Sequence, residues 1–270
     1  MPSVLHFPPW WKMEDRGNGQ KSAVEYLQDL GGALLHRSYP MDGYTINTIA
    51  LIGGVLPSLV WLVFWLREDR CEPEPKLRLA LTFLSGMASV YFVLYIERWI
   101  SPFASGVTLL LLWAIVEELF KLGAATIFGL ASPAYDEPID AIIYMVTAAL
   151  GFAAAENMLF LLQPLHNDQL FTGIVTDDLR FIGATLLHTL TSATIGLCMA
   201  FSYFKSAAVR RAALAAGVIL AIFLHTLFNF FILQMGDSMR FSVFLSLWAG
   251  IILVLFLVER TKLPSRDVCQ

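Results

Sequence analysis

Seven long apolar blocks joined by short polar segments constrain this chain more than any other feature: Thr45–Leu66, Leu77–Ile100, Ala104–Leu130, Ile139–Leu162, Arg180–Phe204, Ala212–Gln234 and Phe241–Val258. Crossing about 30 Å of hydrocarbon takes about 20 helical residues, and each block approaches or exceeds that length. Helices satisfy their own backbone hydrogen bonds, whereas open sheets would leave unpaired edges in lipid. Composition agrees, with 57% hydrophobic and 15% charged residues and a mean hydropathy of +0.65 over 270 residues. A soluble surface needs more charge than that. The expected fold is therefore all-α, a polytopic transmembrane bundle of about seven spanning helices whose partner is the lipid bilayer. A net charge of -4 gives no reason to expect a nucleic-acid partner.

Three regions follow: an extramembrane extension over 1–44, a transmembrane helical domain over 45–260, and a tail over 261–270. The extension is mixed and polar, lacks the apolar core of a secretory signal, and has a short surface helix expected around Ala23–Leu35. Cys71, Cys198 and Cys269 show no pairing pattern and imply no disulfide framework. Pro73 and Pro75, Ser101–Pro102 and Ala131–Pro138 stop helices at the joints. Lys and Arg divide unequally between the two sides. Arg67, Arg70, Lys76, Arg78, Lys205, Arg210, Arg211, Arg260, Lys262 and Arg266 fall on one, and only Arg98, Arg180 and Arg240 in the short loops of the other. The positive-inside rule then places the N-terminus outside and the C-terminus in the cytoplasm of a multi-pass protein, although the extension adds Lys12, Arg16, Lys21 and Arg37 to the outer side.

Ionisable groups inside such blocks are costly and normally face a bundle interior. Here they concentrate in four consecutive blocks: Glu117, Glu118 and Lys121 in the third, Glu156 followed by Asn157 in the fourth, His188 in the fifth, and His225 with Asn229 in the sixth. Residues three or four apart share a helix face, so Lys121 can neutralise one of the two glutamates, and His225 and Asn229 project together. Phe152, Glu156 and Phe160 form a stripe that would wall one carboxylate with rings. Counted from the outer segment ends, the depths are about 12 Å for His188, 10 Å for Glu156, 14 Å for His225 and 20 Å for the glutamate pair. One shared cavity tilted toward the outer face accommodates them all.

Amide hydrolysis needs an activated water, a base, a proton donor for the leaving amine and an oxyanion stabiliser. Buried carboxylates, histidines and an asparagine amide can divide those tasks. The same set could hold zinc through Glu156, His188 and His225, with Glu117 or Glu118 as base. The HExxH spacing is absent, so spacing alone does not decide between these options.

The ordered motifs carry a resemblance. Glu117-Glu118-Leu-Phe-Lys121 resembles the EExxK signature of the PrsW-type intramembrane proteases, distant relatives of the CAAX prenyl proteases and bacteriocin-processing enzymes. Asp136-Glu137-Pro138-Ile139-Asp140, Gly151-Phe152-Ala-Ala-Ala-Glu156-Asn157, His188 and His225-Thr-Leu-Phe-Asn229 follow in the family's order. Asp69-Arg-Cys-Glu72-Pro73-Glu74-Pro75-Lys76 is similar to the family's first cytoplasmic loop. The likeness covers about residues 56–235. It implies a CAAX-protease-like core and a peptidase of the cell membrane that clips membrane-anchored or membrane-near proteins, such as an anti-sigma factor in site-1-type regulated proteolysis. It further implies an active-site set of Glu117, Glu118, Glu156, His188, His225 and Asn229 supported by Lys121 and Asn157. Family members are described both as metalloproteases and, among the CAAX relatives, as metal-free glutamate enzymes. This chain has Phe152-x-x-x-Glu156 where those relatives carry a histidine, and Lys121 where they carry an arginine one position later, so zinc stays open.

Three other readings compete. The charged residues of the third block could be an ion pair that only fixes packing. A Glu/His/Lys chain near the midplane also suits a proton-coupled transporter, although no inverted repeat or central proline accompanies it. A non-catalytic scaffold is the third. Ser192 lies four residues after His188, but no GxS motif accompanies it.

Overall fold

The computed structural model describes residues 43–69, 72–166, 170–234 and 237–262, with side chains left out at 163–181 and 233–240. Nearly all of the extension over 1–44, its expected helix at Ala23–Leu35, Cys71, Cys269 and most of the tail over 261–270 lie outside the described residues.

The described chain is helical throughout: α1 Gly43–Leu66, α2 Lys76–Ile100, α3 Gly106–Ala125, α4 Pro138–His166, α5 Leu170–Ser202, α6 Ala207–Gln234 and α7 Asp237–Val258. A short 3-10 turn, Ser101–Phe103, leads into α3, and a π-helical segment, Thr126–Leu130, ends it. Pro138 opens α4, where a missing N–H costs nothing. All but α3 are long and apolar enough to cross a membrane. Helix α3 is also 20 residues long, but it carries Glu117, Glu118 and Lys121. What sets α3 apart is thus charge rather than low hydropathy, since it brings three ionisable side chains into the bundle.

Apolar spans were legible to within a few residues, but two helices outrun them. Helix α4 continues to His166 and α5 begins at Leu170, so the polar joint expected over 163–179 is mostly helix. Hydropathy marks where lipid ends, whereas a helix can continue into water on propensity and i,i+4 contacts.

Helices α4 and α5 form the centre. Within their apolar stretches 67% and 78% of residues are buried, against 17% in α6 and 22% in α1. Their neighbours turn apolar side chains such as Val60, Ile219, Leu253 and Phe256 outward, as a lipid-facing ring requires. Tyr44, Tyr95, Trp99 and Phe103 are exposed near the ends of α1 and α2, where an aromatic belt meets the interface.

Small residues let α4 sit so deep. A Cβ on Gly86 of α2 would overlap the Ala148 carbonyl of α4, and one on Gly151 would overlap the Phe83 carbonyl. Gly54 of α1 is equally close to the α4 backbone, 2.6 Å from Met158 N to an ideal Cβ. Such close approaches are what small residues at helix interfaces allow in a membrane. Gly53 meets only the Leu161 side chain, and Gly123 has open space beside it.

Replacing Gly151 with Leu should force α2 and α4 apart and cost about 3 kcal/mol or more, read as a lowered unfolding midpoint in detergent. The same change at Gly123 should leave the midpoint nearly unchanged.

Candidate active site

Four helices contribute one buried polar cluster. Lys121 and Glu118, one turn apart on α3, are fully buried and 2.6 Å apart, so the lysine pairs with the second glutamate rather than Glu117. The same Glu118 Oε1 accepts from His225 Nδ1 of α6 at 2.7 Å. Lys121 Nζ also lies 3.0 Å from His188 Nδ1 of α5, and His188 Nε2 lies 2.7 Å from Glu156 Oε2 of α4.

Donor and acceptor inventories fix the tautomers. An ammonium only donates, so His188 Nδ1 accepts and Nε2–H donates to Glu156. A carboxylate accepts, so His225 donates from Nδ1 and keeps a bare lone pair on Nε2. Each imidazole is therefore gripped on its outer nitrogen by a carboxylate and presents its inner nitrogen to the interior. Glu117 Oε2 faces that point, 3.7 Å from His225 Nε2 and 3.9 Å from His188 Nδ1. It is buried without a hydrogen-bond partner. The gaps exceed a direct hydrogen bond and leave room for one bridging atom. Phe152 closes one wall, its ring 5.2 Å from His188 and 5.4 Å from the Lys121 ammonium, while the two imidazoles meet edge to face at 5.3 Å.

The sequence left zinc open, with Glu156, His188 and His225 able to hold it. Within this cluster the side chains whose ligand atoms all lie within 4.8 Å of one another are Glu117, His188 and His225. Glu156 reaches the cluster from outside, through the far side of the His188 ring. Its side chain is 26% exposed against 10% for Glu117, so it stands at the rim. The donor set fits zinc, which takes imidazole and carboxylate, with outer-nitrogen carboxylates of the kind that orient metal-bound histidines. An ion there would displace Lys121 from His188 Nδ1, leaving the ammonium on Glu118.

Two expected residues stay apart. Asn157 is buried, but its amide donates to Thr185 Oγ1 at 2.9 Å and ties α4 to α5. Asn229 is half-buried one turn beyond His225, and no hydrogen bond among the described residues links its amide to the cluster.

One residue was missed. Glu97 of α2 hydrogen-bonds to Glu117, feels the charge of Glu156, and has a buried oxygen, Oε1, without a partner. It lies three residues from the end of α2, beside Arg98, where a charge reads as an interfacial residue. An i,i+3 or i,i+4 partner would have flagged it, and α2 holds none.

With this geometry in view, comparison with known proteins is decisive. Residues 74–258 match the model of the PrsW family intramembrane metalloproteases. The chain belongs to that family. The match runs to the end of α7, past the stretch of about residues 56–235 that carries the motifs. Proteins named Protease PrsW are similar along most of their length. The one from Geobacillus kaustophilus is 28% identical over 208 residues, 73% of this chain and 87% of the relative. The one from Clostridioides difficile is 26% identical over 67% of this chain and 77% of its own, and that from Bacillus subtilis 22% over 73% and 90%. No solved structure matches the chain. This family member is thus an intramembrane protease, and the transporter and scaffold readings are not favoured.

Removing one partner of a buried ion pair costs about 3–5 kcal/mol. Lys121→Met should lower stability by that amount in a detergent unfolding assay, and adding Glu118→Gln to it should restore most of the loss.

Proposed function

We propose that this membrane peptidase hydrolyses peptide bonds of membrane-anchored or membrane-near proteins with a water activated at the site formed by Glu117, His188 and His225. The observation that carries the reading is the buried, unpartnered Glu117 Oε2 facing two imidazole nitrogens across gaps suited to one small ligand.

The proton lost by the attacking water enters the carboxylate set that closes the pocket. Glu97 lies against Glu117, and Glu156 is near enough for its charge to act on both, so the three carboxyl groups form one proton-accepting set. Glu118 is a positioning residue: anchored by Lys121, it holds the His225 ring and fixes its tautomer. Glu156 does the same for His188 while remaining open to incoming substrate. The carboxylate set that took the water's proton returns it to the leaving amine, so the proton count closes over one turnover. Asn229, on the His225 helix, supplies an amide for the oxyanion once substrate brings it into range.

The metal is zinc in this proposal, held by Glu117, His188 and His225. When bound it lowers the pKa of its water and polarises the scissile carbonyl.

The pocket lies toward the end of the bundle where α2 ends and α3 begins. The opposite end carries Arg67, Lys76, Arg78, Lys205, Arg210, Arg211, Arg260 and Lys262. Lys262 is paired there with Glu68 at 2.7 Å, bringing the ends of α7 and α1 together. That charge supports a cytoplasmic basic end, an outside N-terminus, and a site that opens outward.

Glu117→Gln and His225→Ala should each reduce cleavage of a membrane-reconstituted substrate by about 100- to 10,000-fold without loss of folded protein. Full activity in both would end the proposal. Purified enzyme should hold about one zinc per chain, as a four-coordinate catalytic site with three protein ligands requires. A chelator should abolish cleavage and zinc restore it. Undiminished activity after chelation would instead favour water activation by the carboxylates alone.

A further inference from the structure

Two sequence motifs that the membrane cluster does not use meet at the opposite end of the bundle. Asp69 and Glu74 lie in the link between α1 and α2, and Glu137 and Asp140 at the start of α4. Single carboxylate oxygens of Asp69, Glu137 and Asp140 all lie within 4.8 Å of one another. Asp69, Glu74 and Asp140 are 4%, 6% and 1% exposed. From Asp140 to Glu156 along α4 is 16 residues, about 24 Å, so this group is separate from the active site.

The local bonding accounts for part of the negative charge and leaves one oxygen over. Asp140 Oδ2 accepts the N–H groups of Asp136 at 3.0 Å and Glu137 at 2.6 Å, capping the first turn of α4. Tyr144 Oη donates to Glu74, and the Glu74 and Asp140 side chains touch. Asp69, one of the group of three, accepts the Glu74 N–H and keeps its buried Oδ2 without a partner. Among the described residues no lysine or arginine pairs with Asp69, Glu74 or Asp140. Three carboxyl groups held out of water beside a half-exposed fourth are compensated by shared protons or by a bound cation.

We infer that Asp69, Glu137 and Asp140, with Glu74 beside them, bind a hard divalent cation of the Mg2+ or Ca2+ class. All-oxygen donors select such ions over zinc, and water completes the coordination shell. The ion staples the α1–α2 link to the first turn of α4, the helix that carries Glu156. It neutralises the cluster at the point where two distant stretches of chain must stay together.

The test uses the full-length chain purified in detergent and stripped with EDTA, with Mg2+ and Ca2+ titrated separately. At a hundredfold excess over its dissociation constant the bound ion should raise the unfolding midpoint by about 5–10 °C. Asp69→Asn should abolish the rise. Glu137→Gln, at a half-exposed position, should weaken Mn2+ binding, followed by its electron spin resonance, at least about tenfold, as loss of one charged ligand from so small a site implies. His225→Ala should retain both effects, since its site lies elsewhere in the bundle. No rise with either ion in the unmodified chain would show that the carboxyls share protons instead and overturn the inference. So would Mn2+ affinity unchanged by Glu137→Gln, or an effect lost in His225→Ala.

Discussion

The Lys121–Glu118 pair, with both side chains fully buried, is the interaction on which the rest of the site depends. Two charges in a hydrocarbon environment cost several kcal/mol each unless they meet. Once they meet, the pair organises what surrounds it. Glu118 holds the His225 ring, Lys121 holds His188, and each imidazole is left with one nitrogen turned inward. No member can be placed elsewhere without leaving another uncompensated. Six ionisable groups from four helices therefore act as one unit, joined by Glu97 from a fifth.

Such a cluster requires a dry, rigid frame, and α4 provides it. Its alanine-rich and glycine-containing face lets α1, α2 and α5 approach closely enough to exclude lipid. In a bilayer there is little hydrophobic gain in bringing helices together, so close packing of small residues and interhelical hydrogen bonds must do it. Asn157, bonded across to Thr185, belongs to this frame. Gly86 and Gly151 place the Phe152 turn of α4 beside α2, which is also how Glu97 comes within reach of Glu117 and Glu156.

Several residues were legible for clear physical reasons. A charge in the middle of a long apolar run has only one tolerable destination, and that argument located Glu117, Glu118, Lys121, Glu156, His188 and His225 before any fold was known. The i,i+3 spacing of Glu118 and Lys121 is a local property, so the pairing could be anticipated as one of two choices. Glu97 escaped because the end of a span is where a charge costs least and signals least. The exchange of Glu156 for Glu117 as companion of both histidines escaped because it depends on helix rotation, which depth counting ignores. Asn229 shares a face with His225, yet sharing a face does not ensure sharing a pocket.

From its sequence alone the chain was bound to be a helical membrane protein with ionisable groups turned to its interior, because hydrocarbon tolerates neither open backbone nor solitary charge. Which imidazole nitrogen faces which carboxylate was decided only in three dimensions. So was the meeting of the Asp69 and Asp140 segments, which stand far apart along the chain. Those outcomes follow from helix rotation and close approach among α2, α3, α4, α5 and α6, and the energies that set them belong to contacts between helices rather than to any one segment.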